Sequence, residues 1–318
     1  MADMKFGLVS LIGRPNAGKS TLLNRLIGTK LAIVSDKPQT TRNRIRGVRN
    51  YEDAQVVYLD TPGIHRPLHR MNVRMVDTAL QTVAEVDLVA WVVDASQSFG
   101  RGDRYVLDRL KNAAQPIVRV LNKVDLIAKP TLLPMIDTLS HEHSFVEIVP
   151  ISALTGENVE RLERAVIGRL PDGEPLYPSD YLTDQPERFI VAEMVREQVL
   201  AHTRAELPFS TAVVVDRFEE ANERGPQRGG RAGDPERATE PGLMRLYCTI
   251  LVERESQKPI IIGRRGAMVK QIGTAARHAL ERFFDARVFL DLRVKVRSAW
   301  REDERALNDL GLRTDHGS

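Results

Sequence analysis

The chain has 318 residues, 42% of them hydrophobic, with 46 lysines and arginines against 43 aspartates and glutamates, a formal charge of +3. That length holds two domains with a core each, in a composition ordinary for a soluble protein. The single cysteine, Cys248, excludes an internal disulfide and a cysteine-built metal site and points to the cytosol, and no apolar run approaches the length of a membrane span.

The opening "MADMKFGLVSLIG" does not read as a signal peptide, because Asp3 comes early and the short apolar run leads straight into a motif. Residues 6–12 are expected as a buried strand. Gly13-Arg14-Pro15-Asn16-Ala17-Gly18-Lys19-Ser20 fits G-x-x-x-x-G-K-[ST], and with Thr21 it opens an amphipathic helix. Glycines let backbone N–H groups turn toward phosphates, and the helix N-terminus adds its positive end. Lys19 is expected at the β- and γ-phosphates and Ser20 at Mg²⁺.

Further along, "SDKPQTTRNRIRG" offers Thr40 and Thr41, of which Thr41 is expected to complete the Mg²⁺ shell. "RIRGVRNYEDAQVVYLD" has the pattern of a hairpin, so one strand is expected to be antiparallel. It ends in Asp60-Thr61-Pro62-Gly63, with Asp60 for Mg²⁺ and the Gly63 amide for the γ-phosphate. Many GTPases place a Gln after that glycine to orient the attacking water. Here Ile64 stands there, so slow intrinsic turnover is expected, with the water held by backbone or another group. His65 and His69 follow, either as a catalytic base or simply in an exposed switch loop.

The phosphate loop serves ATP and GTP enzymes alike. The base is chosen by Asn122-Lys123-Val124-Asp125 at the end of "IVRVLN". Guanine presents two adjacent donors and a carboxylate two acceptors, so Asp125 pairs with guanine and is left unpaired by adenine. The Lys123 stem covers the base, Asn122 ties loops together, and Ser152-Ala153-Leu154 brings N–H groups to the guanine O6. Strands alternating with helices give an α/β P-loop domain, residues 1–172, with a mostly parallel sheet, helices on both faces and ligands at the carboxyl edge.

Residues 173–187, rich in Pro, Asp and Gly, are expected as a linker. A helix, two strands, a short helix, a glycine turn, a helix and a final alternating strand follow, over residues 188–300. Residues 258–297 hold ten Lys or Arg against three Asp or Glu, a block of +7 in a chain whose remainder is negative. Such a block suits an anionic polymer. Within it "GRRG" has Gly263 and Gly266 to admit a sugar-phosphate backbone, with Arg264, Arg265 and Lys270 for charge. Ile260, Ile261, Ile262 and Val269 make an apolar floor or plain core. Residues 219–242 lack large apolar residues and are expected as a disordered insertion, a tolerated loop or an RGG-like tail. The tail, 301–318, names no chemistry.

The order and wording of "GRPNAGKST", "QTTR", "DTPG", "NKVD" and "SAL" resemble a translation-factor-type small GTPase. With "DYLTDQPERFIVAEMVRE" and "VERESQKPIIIGRRGAMVKQIG", nearly the whole chain resembles the Era family of ribosome-assembly GTPases. The resemblance implies a C-terminal α+β KH domain of type II topology, which clamps about four nucleotides of single-stranded RNA at the glycine loop. It implies a monomeric GTP/GDP switch using Mg²⁺ that binds the 3′ region of 16S ribosomal RNA during assembly of the small (30S) subunit. It also implies a cytoplasmic protein, either free or peripherally associated with the membrane's cytoplasmic face. Era relatives often carry Lys in the glycine loop; Arg264 and Arg265 keep the charge. Related potassium-activated GTPases carry Asn where Asn16 stands. Asn16 either holds a monovalent cation against the phosphates or bonds its own loop. Lys19, Thr41, Gly63 and Asn16 are thus the expected catalytic set.

Overall fold

Strands buried at every position need cover on both faces. Ala54–Asp60, Leu88–Asp94 and Ile117–Asn122 are three such strands in the first half of the chain. The computed structural model describes residues 4–37, 39–203, 207–220 and 242–312. It divides into two compact units, Met1–Gln185 with Arg301–Ser318, and Pro186–Trp300.

In the first unit, β1 (Lys5–Ile12), α1 (Lys19–Ile27), β2 (Ile45–Asn50), β3 (Ala54–Asp60), α2 (Arg70–Ala84), β4 (Leu88–Asp94) and α3 (Arg101–Leu110) precede β5 (Ile117–Asn122), α4 (Leu132–Ser140), β6 (Glu147–Pro150) and α5 (Val159–Ile167). The sheet order is β2-β3-β1-β4-β5-β6. All pairings are parallel except β2 with β3, the expected hairpin. The order reverses around β1, so the loops after β1 and β4 part there and leave a crevice at the carboxyl edge. The core gathers on Ile12, Val57, Trp91 and Leu121. Arg119 is fully buried among them, its guanidinium 4.5 Å from the Trp91 ring centre, 4.9 Å from Phe99 and 5.1 Å from Phe145, with Nη1 2.7 Å from Glu142.

The stretch expected as a linker holds the boundary between the units, at Gln185, and much of it is fastened to the first unit. The Gln55 side-chain oxygen accepts from the Leu176 and Tyr177 amides at 2.8 and 3.0 Å. Val48 donates its N–H to the Leu182 carbonyl, and Thr183 donates its hydroxyl to the Arg46 carbonyl. β2 is an edge strand, and this segment satisfies its outward backbone groups.

The second unit runs α6 (Glu187–His202), α7 (Leu207–Ser210), β7 (Ala212–Glu219), β8 (Leu243–Val252), α8 (Lys258–Ile262), α9 (Ala267–Phe284) and β9 (Arg287–Val296). β8 is central, antiparallel to β7 and parallel to β9. Val191, Val195 and Val199 of α6 and Ile272, Ala276 and Leu280 of α9 share one core with Leu246, Cys248 and Ile250 of β8. Glu219, expected as the first residue of the insertion, is the last of β7 and pairs with Arg245, while 221–241 lie outside the described residues. After Trp300 the chain returns to the first unit as α10 (Glu304–Asp309).

Candidate nucleotide and nucleic-acid sites

β1 delivers the loop 13–20 to the carboxyl edge and α1 starts within it at Lys19. Gly18 is left-handed (φ 95°), and a Cβ there would lie 2.2 Å from Asn122 Nδ2. Asn122 explains that crowding. Its Nδ2 donates to the Ala17 carbonyl at 2.8 Å, and its Oδ1 accepts from the Ala153 amide at 2.9 Å. One side chain thereby ties the phosphate loop to the Ser152-Ala153-Leu154 loop. Arg25 of α1 fastens the second loop again, through the Ala153 carbonyl at 3.2 Å and the Leu154 carbonyl. Ser152 is buried and Leu154 exposed.

Lys19 is buried and points back at its own loop, with Nζ 3.2 Å from the Gly13 carbonyl and 3.0 Å from that of Arg14. Burial lowers its ammonium to about 8, opposed by the charge of Asp60. The Arg14 side chain leaves the loop: Nε is 3.0 Å from Asp103 on α3 and Nη2 3.2 Å from Gln97. It contributes backbone to the loop and anchors it sideways.

Three oxygens converge beside Ser20. Ser20 Oγ is 2.7 Å from Thr41 Oγ1 and 2.7 Å from Asp60 Oδ2, and Thr41 Oγ1 is 3.1 Å from the same carboxylate oxygen. Asp60 is fully buried, and its Oδ1 has no hydrogen-bond partner. Burial raises its pKa, partly offset by Lys19 and the two hydroxyls. Two hydroxyls and a dry carboxylate with a spare oxygen are the donor set of a hard dication. Thr40 instead turns its hydroxyl to the Lys37 carbonyl at 2.6 Å.

Gly63 lies against the loop, where a Cβ would come within 2.6 Å of Pro15 N. Ile64 is fully buried in the core, and its N–H donates to the Gly13 carbonyl at 3.0 Å. His65 Nδ1 donates to the Gly63 carbonyl at 2.9 Å, and His69 Nδ1 sits 3.1 Å from Glu302. Asn16 Nδ2 donates to the Asp36 carbonyl at 2.6 Å.

Lys123 forms an ion pair with Asp94 at 2.7 Å, and Asp125 stays exposed. Asp94 is buried at the end of β4. Burial pushes its carboxyl up, but hydrogen bonds from Lys123 and Ser96 outweigh that and hold it below the usual range. Arg25, Asp94 and Asp103 are the site residues that sequence reasoning missed. The spacing Gly100-x-x-Asp103, which caps α3, was the one available signal.

In the second unit the glycine turn joins α8 to α9. Gly263 (φ 73°), Arg265 (φ 52°) and Gly266 (φ 79°) are all left-handed. A Cβ on Gly263 would lie 2.6 Å from Met268, whereas Gly266 faces open space. Arg264, Arg265 and Lys270 are exposed, Ile262 and Val269 half-buried, and Ile260 is 53% exposed. Ile261 is core. Beside the turn a cleft of about 280 Å³ lies between Lys270, Gly273 and Arg277 of α9 and Leu290 and Leu292 of β9.

Fold and sites together define a P-loop GTPase joined to a KH domain. A family model described as 50S ribosome-binding GTPase matches residues 8–123, and one described as KH domain matches 236–301. GTPase Era of Geobacter metallireducens is 49% identical over 98% of this chain and 99% of its own length; that of Geotalea uraniireducens is 47% identical over the same shares. The chain belongs to the Era GTPase family. Its fold matches a crystal structure of Era with MgGDPNP and nucleotides 1506–1542 of 16S ribosomal RNA, at TM-score 0.88 and 38% identity over 98% of this chain and all of that one. An Aquifex aeolicus Era variant bound to GDP and AlF₄⁻ matches equally, at TM-score 0.88 and 38% identity.

Proposed function

We propose that this chain hydrolyses GTP with Mg²⁺ in the first unit and binds single-stranded RNA at the 3′ end of 16S ribosomal RNA with the second, assisting assembly of the small ribosomal subunit in the cytoplasm. The observation that carries the nucleotide reading is the convergence of Ser20, Thr41 and Asp60 oxygens beside the phosphate loop. Era bound to MgGDPNP and 16S RNA supports the ligands by kinship.

In this reading Ser20, Thr41 and Asp60 hold the dication, which neutralises charge on the phosphate oxygens when bound. The loop amides and Lys19 hold the β- and γ-phosphates, and Gly63 senses the γ-phosphate through its amide. Asp125 pairs with the guanine donors, while Asn122 and Arg25 keep the two base-side loops in register. Ile64 is buried and has no polar side-chain atom, so the attacking water is oriented by backbone or by a partner. Asn16 uses its amide N–H on Asp36, which leaves Oδ1 as the atom for a monovalent cation such as K⁺. On the RNA side, Arg264, Arg265 and Lys270 meet phosphates, Gly263 and Gly266 admit the backbone, and Ile262 offers apolar contact to a base.

Multiple-turnover phosphate release tests the enzyme reading. Release from GTP but not ATP is expected, faster in K⁺ than in Na⁺. Equal rates in the two salts would remove the cation role of Asn16, and equal use of ATP would remove the guanine reading of Asp125. A monomer is expected by size-exclusion chromatography with light scattering. No helix among the described residues is long and apolar enough to cross a membrane. Peripheral attachment, implied by the family resemblance, is tested by liposome flotation; protein left at the bottom of the gradient ends it.

A further inference from the structure

The first N–H groups of any helix lack partners inside it, and an Asp, Asn, Ser or Thr side chain just before the helix commonly supplies one. α2, which follows the Gly63 loop, has none. Its N-cap residue is His69, which makes no side-chain cap bond, and its first turn holds no acidic residue. The partners come from the far end of the chain. The Arg301 carbonyl accepts from the Met71 amide at 3.1 Å. The Glu302 carboxylate accepts from the Arg70 amide at 3.3 Å and meets His69 Nδ1 at 3.1 Å. Its negative charge also lies at the positive end of the helix dipole.

One turn on, the contact continues. Glu304 pairs with Arg70 Nε at 3.2 Å and with Arg74. The buried Arg74 guanidinium also donates to Asn308 Oδ1 at 3.0 Å and to the Leu312 carbonyl. Ala306 and Leu307 of α10 are fully buried. On α2 itself, Asn72 is fully buried and neither of its amide atoms has a hydrogen-bond partner.

We propose that residues 301–312 are a cap supplied from outside for α2, the helix that follows the Gly63 loop, and that Glu302, Glu304 and Asn308 are positioning residues for the GTPase cycle. In this structure the cap coexists with a Thr41 hydroxyl 2.7 Å from Ser20 Oγ and 3.1 Å from Asp60 Oδ2. A contact that favours one of two states must shift ligand preference toward that state, and the ligand must in turn strengthen the contact. If the cap loosens when Thr41 leaves Asp60, it favours GTP over GDP. It also gives the first unit a covalent route outward, since only the four residues 297–300 separate β9 from Arg301. The inference rests on reading the Thr41 and Gly63 loops as the nucleotide sensor.

The test uses the full chain carrying Glu302→Ala and Glu304→Ala together. Both side chains are about half exposed, 51% and 49%, so the fold should tolerate the change. The control is Glu302→Asp with Glu304→Asp, which keeps both carboxylates. Affinities for GDP and for a non-hydrolysable GTP analogue are measured side by side, with hydrogen exchange over residues 70–74. We expect the alanine pair to lower the GTP-analogue-to-GDP preference about fivefold, to speed exchange of the Arg70 and Met71 amides, and to leave GDP affinity in place. The aspartate pair should restore most of the preference. Faster exchange with an unchanged preference would overturn the positioning role and leave a structural cap. Unchanged exchange would overturn the cap. Equal loss of both nucleotides would contradict a state-selective role. If neither nucleotide binds the unaltered chain, it is the nucleotide-site reading beneath the proposal that fails.

Discussion

Asp125 carries the choice of base. It is exposed at a strand end whose neighbours are held by Asn122 and Asp94. Guanine offers two adjacent donors; xanthine offers a donor and an acceptor. Asp125→Asn replaces an acceptor pair by one acceptor and one donor. GTP affinity should fall at least about 100-fold while xanthosine triphosphate gains, because sites built on paired polar groups reject the mismatched partner strongly. Competition binding with the two nucleotides checks it; an unchanged GTP affinity would remove Asp125 from the base site. The phosphate-loop and base-loop residues were legible because their chemistry needs neighbours in sequence. Gly18 must lack a Cβ because Asn122 reaches the same place, and both sit in short motifs. Arg25 was not legible. It meets Ala153 across 128 residues, and nothing around Arg25 marks it among the ordinary basic residues of a helix end. Asp94, 29 residues from Lys123, passed as the last residue of an apolar strand.

At the scale of elements, the first sheet buries a charge on β5, next to its edge strand β6. Arg119 on β5 is fully buried against three aromatic rings and one partly exposed carboxylate. Arg119→Ala loses that packing and leaves a cavity, and should destabilise the unit by about 3 kcal/mol. Arg119→Met should cost less than half of that, because an apolar stem of similar length replaces a buried ion pair with little loss. Urea unfolding of the two variants distinguishes them; equal losses would mean that the ion pair rather than the stem matters. In the second unit, β8 buries Cys248, and burial, helped by the charges of Asp216 and Asp291, pushes its thiol up to about 12. Ellman's reagent at pH 8 should label it only after denaturation, since the thiolate is the reacting form; rapid labelling of the native chain would mean that the β8 core opens. The segment expected as a linker, 173–187, holds the boundary between the two units at Gln185 and also packs on β2. Pro, Gly and Asp mark the absence of regular structure, not the absence of contacts, and Gln55 holds the Leu176 and Tyr177 amides all the same.

For the whole molecule, the question is whether the nucleotide unit governs an RNA clamp. Two positions frame the test. A side chain at Gly263 would strike Met268 at the start of α9, so a change there disturbs the fold as well as the turn. Arg264 and Arg265 are exposed and can be reversed without touching the core. The C-terminal segment was illegible in this respect. Its role depends on α2, more than two hundred residues upstream, and Glu302, Glu304 and Asn308 are ordinary solvent-facing types. The most direct measurement is binding of a labelled single-stranded RNA of the 16S 3′ end, at fixed salt because phosphate contacts are salt-dependent. GDP and GTP-analogue states are compared for the unaltered chain and for Arg264→Glu with Arg265→Glu. Tighter binding in the GTP-analogue state, reduced at least about tenfold by the double reversal, is the predicted result. Binding indifferent to the reversal, with the variant folded, would contradict the clamp.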